Sequence, residues 1–228
     1  MLADVECDLL CVDAPYSART HRGHDEILDV GGKRRAIGYD GWESSDVREC
    51  VKFFAPRTSG WMVSITDHVL APVWADAFES AGRYAFAPLP WVAHGSRVRL
   101  QGDGPSSWTC WVMVARPRGR KFTTWGTLPG AYVVNAWNHG TLAHGAQQQR
   151  LVGGKPIALM QAIVSDYSRP GDVVCDPCAG GGTTLLAARK LGRHAIGAEM
   201  DPETHRKASS RLGLVDTSGD LPLFGGGA

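Results

Sequence analysis

GDVVCDPCAGGGTTLLAARKLGRHAIGAEM, residues 171–200, sets three elements in a row. Val173, Val174 and Cys175 make a short apolar run of strand length, Gly180, Gly181 and Gly182 make a tight turn, and residues 184–191 carry apolar side chains at helical spacing. A second apolar run, residues 194–198, follows the helix and ends in Glu199. Strand, glycine turn, helix and strand are the parts of a βαβ unit. In such a unit the glycines let a ligand approach the backbone at the helix N-terminus, and an acid closing the second strand accepts hydrogen bonds from ribose hydroxyls. The stretch therefore predicts a nucleoside-cofactor site. A dinucleotide loop would need a third glycine where Leu185 stands, and a phosphate-binding loop would need a lysine after its last glycine; both are missing, which argues against a diphosphate ligand. A glycine turn that only packs helix on strand is the plainer alternative.

The remaining 1–170 must supply the rest of the sheet. With 228 residues, 43% of them hydrophobic and 21% charged, the chain fits one large α/β domain spanning 1–228. No apolar run approaches the ~20 residues of a membrane span. The start MLADVECDLL lacks a basic, signal-like opening, so a cytoplasmic protein without a membrane partner is expected. The six cysteines lie mostly inside apolar runs, where a thiol packs as a small hydrophobe. Cys175-x-x-Cys178 has no partner pair, and His21-x-x-His24 has none either, so no metal site is predicted. The net charge of +1 says little, because a nucleic-acid enzyme needs only a local basic face.

Residues 5–12 alternate with apolar side chains, as a strand does, and end in Asp13-Ala14-Pro15-Tyr16. An acid and a proline that end strand pairing belong at the carboxyl edge of a sheet, where open α/β folds keep their sites. This is the second chemical centre. An Asp-Pro turn beside a core tyrosine would be the structural explanation of the same residues. Residues 17–41 are polar and glycine-rich and predict a basic loop. Helices are expected from Ser44 to Pro56, over 69–81, from Pro156 with Ile157, Met160, Ile163, Val164 and Tyr167 on one face, and over 201–212. Strands are expected at 60–66, 84–92 and 108–115. The pattern predicts a doubly wound, mostly parallel sheet with an antiparallel strand pair at one edge.

Taken together, Asp13-Ala14-Pro15-Tyr16, the block DPCAGGGTT at 176–184 and GAEMDPETHRKASSRL at 197–212 resemble the S-adenosylmethionine-dependent amino-methyltransferases of DNA. That family writes D-P-P-Y and D-P-F-x-G-S-G-T-T; here Ala14 replaces a proline, Cys178 a phenylalanine and Gly181 a serine. The catalytic motif precedes the cofactor motif, as in the family's beta group. The resemblance implies a Rossmann-like class I methyltransferase fold, S-adenosylmethionine as methyl donor with S-adenosylhomocysteine as product, no metal, and double-stranded DNA with its target base flipped out. It also implies roles. Asp13 and the carbonyl of Ala14 accept the amine hydrogens, Pro15 shapes the turn and Tyr16 stacks on the base. Lys155 and Pro156 lie near the methionine end of the cofactor. Asp176, Cys178, Ala179, Gly180, Gly181, Gly182, Thr183 and Thr184 wrap it, and Glu199, with Met200 beside it, holds its ribose. An acid at the motif's first position points to adenine N6. The alternatives are cytosine N4, RNA, or a non-catalytic cofactor- or nucleic-acid-binding module.

Candidate DNA contacts follow from the loop after the motif, with Ser17, Arg19, His21, Arg22, Arg34 and Arg35, and from the clusters Arg97 with Arg99 and Arg118, Arg120 and Lys121. By the resemblance, 1–115 is the catalytic half, 116–153 a short target-recognition insert, 154–213 the cofactor half and 214–228 a loose tail. So short an insert suggests a short or relaxed target, or help from a homodimer or second subunit. The resemblance further implies a source among phages and mobile elements, with a link to restriction-modification.

Overall fold

A computed structural model of the chain describes residues 2, 4–25, 39–93, 105, 107–118, 125–134 and 154–214. The first half runs β1 (Cys7–Val12), α1 (Ala18–Asp25), α2 (Ser44–Phe54), a 3-10 turn (Ala55–Arg57), β2 (Thr58–Thr66), α3 (Ala71–Ser80), β3 (Arg83–Ala85), β4 (Leu89–Val92) and β5 (Thr109–Pro117). The second half runs β6 (Tyr132–Val133), α4 (Ile157–Tyr167), β7 (Val173–Asp176), α5 (Thr183–Lys190), β8 (His194–Gly197) and α6 (Pro202–Arg211).

The strands form one sheet in the order β6-β4-β5-β2-β1-β7-β8, with β3 also on β5. β2, β1, β7 and β8 are mutually parallel. β5 is the reversed strand: β2, β3 and β4 all pair with it antiparallel, and β6 then runs parallel to β4. The chain thus enters the sheet at its centre with β1 and builds outward on both sides.

Burial on both faces explains the apolar residues 9–12 of β1 and 61–63 of β2. Alternate side chains of β1 feed two cores. Leu9 and Cys11 pack with Trp61, Val63, Ile163 and Leu185 under α4 and α5; Leu10 and Val12 pack with Met62, Val47, Trp74 and Phe78 under α2 and α3. Each fully buried Leu, Ile, Phe or Met side chain contributes about 1.5–3 kcal/mol. The caps follow local rules. Glu43 and Asp46 form a reciprocal capping box on α2, and Asp201 accepts the Thr204 N–H at 2.7 Å to start α6.

Three expectations change. The single strand predicted over 84–92 is two short strands, because Pro88 and Pro90 offer no N–H to the ladder. The polar loop after Tyr16 opens as helix α1, whose first turn closes when the Thr20 and His21 N–H groups donate to the Ser17 carbonyl at 2.9 and 3.1 Å. The irregular 116–153 contributes β6 to the sheet edge. No helix among the described residues is long and apolar enough to cross a membrane.

Candidate active site

Four parallel strands end at one edge, and an acid stands at the end of each. Asp13 follows β1, Asp67 follows β2, Asp176 closes β7 and Glu199 lies two residues beyond β8. Parallel register does this: with Val12 opposite Ser64 and Asp176 opposite Gly197, the carboxyl ends align.

Lys155, just ahead of α4, reaches back to the turn after β1. Its Nζ lies 2.6 Å from Asp13 Oδ1 and 2.8 Å from Oδ2, and 4.9 Å from the centroid of the Tyr16 ring. The side chains of Lys155 and Asp13 are only 11% and 20% exposed. Burial raises the Asp13 carboxyl above its ordinary value, and the Lys155 ammonium opposes that rise. Burial would push Lys155 the other way, but the facing carboxylate more than offsets it, so its pKa stands above normal. Each member of the pair thus favours the charged form of the other. Burial also pushes the Tyr16 hydroxyl well up, with the Cys110 thiol of β5 as its polar neighbour. Ala14 is buried under the turn and makes part of the α2/α3 core.

On the adjoining strands, Gly180 and Gly182 take left-handed φ values of 50° and 71°. Gly182 caps α5, and its N–H donates to the Ala179 carbonyl at 2.7 Å to close the turn. Gly197 allows β8 to close on this turn: a Cβ there would sit 2.8 Å from Leu185 Cδ1 and 2.9 Å from the Asp176 carbonyl. Asp176 accepts the Cys178 N–H at 3.0 Å. Burial pushes its carboxyl up to about 7, with Asp13 and Glu199 adding repulsion and the Thr184 hydroxyl opposing. Glu199 accepts the Asp201 N–H at 2.8 Å, and Met200 beside it is 90% exposed. Ala179 is buried beneath the loop, while Arg211 braces its back through the Gly181 carbonyl and the Thr183 hydroxyl, both at 2.9 Å. A glycine turn, a carboxylate at the next strand's end and an exposed thioether suit a nucleoside ligand.

The sequence-chosen residues divide. Asp13, Pro15, Tyr16 and Lys155 cluster at the end of β1, Pro156 caps α4 behind them, and the 176–184 turn with Glu199 lines the neighbouring strand ends. Lys155, expected near the methionine end of the cofactor, is engaged with Asp13 from the start of α4. Ser17, a candidate DNA contact, is 4% exposed, and both its donors go to Asp67. Arg19 is exposed on α1, and His21 meets Tyr39 edge to ring at 5.5 Å. Arg118 pairs with Glu79 at the opposite edge, because β5 runs antiparallel and carries the chain away from Asp13. Arg34, Arg35, Arg97, Arg99, Arg120 and Lys121 lie outside the described residues, and of Arg22 only the helical backbone is described. Ala93 with Trp108 and Val134, which flank undescribed stretches, stand at the Asp13 edge.

Asp67, Cys110, Tyr39 and Trp42 were not singled out from the sequence. The Trp42 N–H donates to the Tyr16 carbonyl at 3.1 Å, and its ring stacks on Trp74 at 6.2 Å. Only Asp67 carried a local signal, an acid closing a strand and preceding the Pro72 helix start.

Comparison with known proteins agrees with this geometry. The N6/N4 methyltransferase family model, described as DNA methylase, matches residues 124–210. Type II methyltransferase M.HindIII of Haemophilus influenzae is 35% identical over 235 residues, covering 80% of this chain and 76% of that protein. The crystal structure of M1.HpyAVI in complex with SAM superposes with a TM-score of 0.65 at 22% identity, over 92% of this chain and 90% of that one. The PvuII DNA methyltransferase, cytosine-N4-specific, superposes with a TM-score of 0.64 at 15% identity, over 96% and 84%. These structural likenesses speak for a shared class I methyltransferase fold. By its relation to M.HindIII and the family model, this chain belongs to the S-adenosylmethionine-dependent amino-methyltransferases of DNA.

Proposed function

We propose that this methyltransferase acts on the exocyclic N6 amine of adenine in double-stranded DNA. The observation that carries the reading is the Asp13 carboxylate, held by Lys155 within the same small turn as the Tyr16 ring and one strand away from the glycine turn.

An exocyclic amine is a poor nucleophile because its lone pair is delocalised into the ring. Two acceptors that take its hydrogens favour a pyramidal nitrogen with the lone pair aimed at the donor. Asp13 and the Ala14 carbonyl fill those places, and alanine there keeps the main-chain atom that proline supplies in the family motif. Tyr16 stacks on the flipped base, a contact worth about 1–3 kcal/mol by alanine substitution in single-strand sites. Bound S-adenosylmethionine supplies the methyl group as an electrophile. The backbone from Asp176 to Thr184 would cradle it, with Met200 beside it, and Glu199 would accept hydrogen bonds from its ribose. As the nitrogen gains a methyl it must lose a proton, and Asp13 is the base within reach. DNA approaches the edge where Arg19 is exposed and where β4 and β6 end. A homodimer or helper subunit would extend the short recognition insert.

The test is to incubate the protein with methyl-labelled S-adenosylmethionine and unmethylated DNA or RNA, digest, and separate the nucleosides by mass spectrometry. Label in N6-methyladenine from DNA is the expected result. Label in N4-methylcytosine, or in RNA, would overturn the substrate assignment. No label from a protein that binds the cofactor would overturn the enzymatic reading in favour of a binding module.

A further inference from the structure

Asp67 is buried, 5% exposed, at the end of β2, and its two oxygens face different parts of the chain. Oδ1 accepts the N–H groups of Val69 and Leu70, both at 3.0 Å, and so caps the turn into α3. Oδ2 accepts three donors from the far side of the Asp13-Ala14-Pro15-Tyr16 turn: the Ser17 N–H at 3.0 Å, the Ser17 hydroxyl at 2.5 Å and the Thr20 hydroxyl at 2.5 Å. A helix cap alone would need only the first oxygen. The second spends a buried charge on the residue immediately after Tyr16.

Tyr16 has a second anchor. Trp42 donates its N–H to the Tyr16 carbonyl at 3.1 Å and stacks its ring on Trp74, one turn into α3. Both anchors end on the same helix. The segment after Pro15 is therefore fixed to α3 from two sides, while Asp13 is fixed from the cofactor side by Lys155.

We propose that Asp67 is a positioning residue of the base site: through Ser17 and Thr20 it sets where Tyr16 and Asp13 meet the flipped base. This rests on the reading of Asp13 and Tyr16 as that site. Misplacing reacting groups by an ångström lowers turnover by orders of magnitude without touching ligand affinity, so the effect belongs in kcat.

The experiment compares Asp67→Asn, Ser17→Ala, Ser17→Thr and the double variant Asp67→Asn/Ser17→Ala for kcat on DNA and for S-adenosylmethionine binding by calorimetry, with Asp13→Ala alongside. Asparagine keeps one oxygen for the α3 cap but turns an amide NH2 toward the Ser17 and Thr20 donors. Expected is a fall in kcat of about 10- to 100-fold for Asp67→Asn, with cofactor affinity within about twofold of the parent. Ser17→Ala should share the defect, Ser17→Thr should retain turnover, and the double variant should be no worse than Asp67→Asn, because both remove one interaction. Full kcat in Asp67→Asn, or loss of cofactor affinity in step with kcat, would overturn the proposal. Should Asp67→Asn not fold, Ser17→Ala against Ser17→Thr decides the matter by the same split. If Asp13→Ala keeps full turnover, the base-site reading itself fails; if Asp13→Ala is dead and Asp67→Asn fully active, only the positioning role fails.

Discussion

Asp13 and Lys155 illustrate how much one side chain can depend on another. Burial favours the neutral carboxylic acid, and the ammonium 2.6 Å away opposes that. To accept an amine hydrogen, and later a proton, Asp13 must be ionised. Lys155→Met removes the opposing charge while keeping the apolar stem, so the Asp13 pKa climbs further. A group whose working form is the ionised one is then lost over a wider range on the acid side. The acid limb of the kcat profile is expected to move to higher pH, with turnover depressed on the acid side and recovered as the pH rises. Initial rates across that range check this; an unmoved acid limb would show that Lys155 does not sustain the charge on Asp13. Asp67 works differently: although it is buried, hydrogen bonds from Ser17, Thr20 and Leu70 hold its carboxyl below the usual range.

At the scale of elements, the turn between β7 and α5 is the most constrained. Gly182 holds a φ of 71°, and a Cβ on it would meet Leu212 Cδ1 at 3.2 Å and Ala208 Cβ at 3.4 Å on α6. Gly182→Ala is expected to destabilise the protein by about 1–2 kcal/mol, from the left-handed backbone alone, and to weaken cofactor binding. Denaturant unfolding and calorimetry test the two parts; unchanged values of both would mean that the turn tolerates a side chain. This unit was also the most legible in the sequence, because strand, glycine turn, helix and terminal acid all lie within residues 173–199 and depend on local rules. What the sequence hid depended on distance. The second oxygen of Asp67 meets Ser17, 50 positions away, and Lys155 meets Asp13, 142 positions away. No periodicity records such meetings. Helix α1 was hidden for another reason: its sequence ARTHRGHD has no apolar stripe, and what closes its first turn is the Ser17 carbonyl, held in place by Asp67.

For the whole molecule, the decisive feature is that β2, β1, β7 and β8 run parallel and end together. That single fact aligns Asp67, Asp13, Asp176 and Glu199 along one edge, although the chain visits them far apart. The same geometry separates the basic residues. The ends of β4 and β6 stand at this edge, whereas the reversed β5 delivers Arg118 to the other, a distinction that composition and clustering did not contain. The account therefore predicts two jobs along one edge, amine chemistry at the end of β1 and cofactor binding at the ends of β7 and β8. The most direct test is to measure methyl transfer to DNA and S-adenosylmethionine affinity for Asp13→Ala and Glu199→Ala side by side. Asp13→Ala should lose turnover by at least about 100-fold, the usual size of a general-base contribution, and bind cofactor like the parent; Glu199→Ala should mainly lose cofactor affinity. Full turnover in Asp13→Ala would contradict the account at its centre.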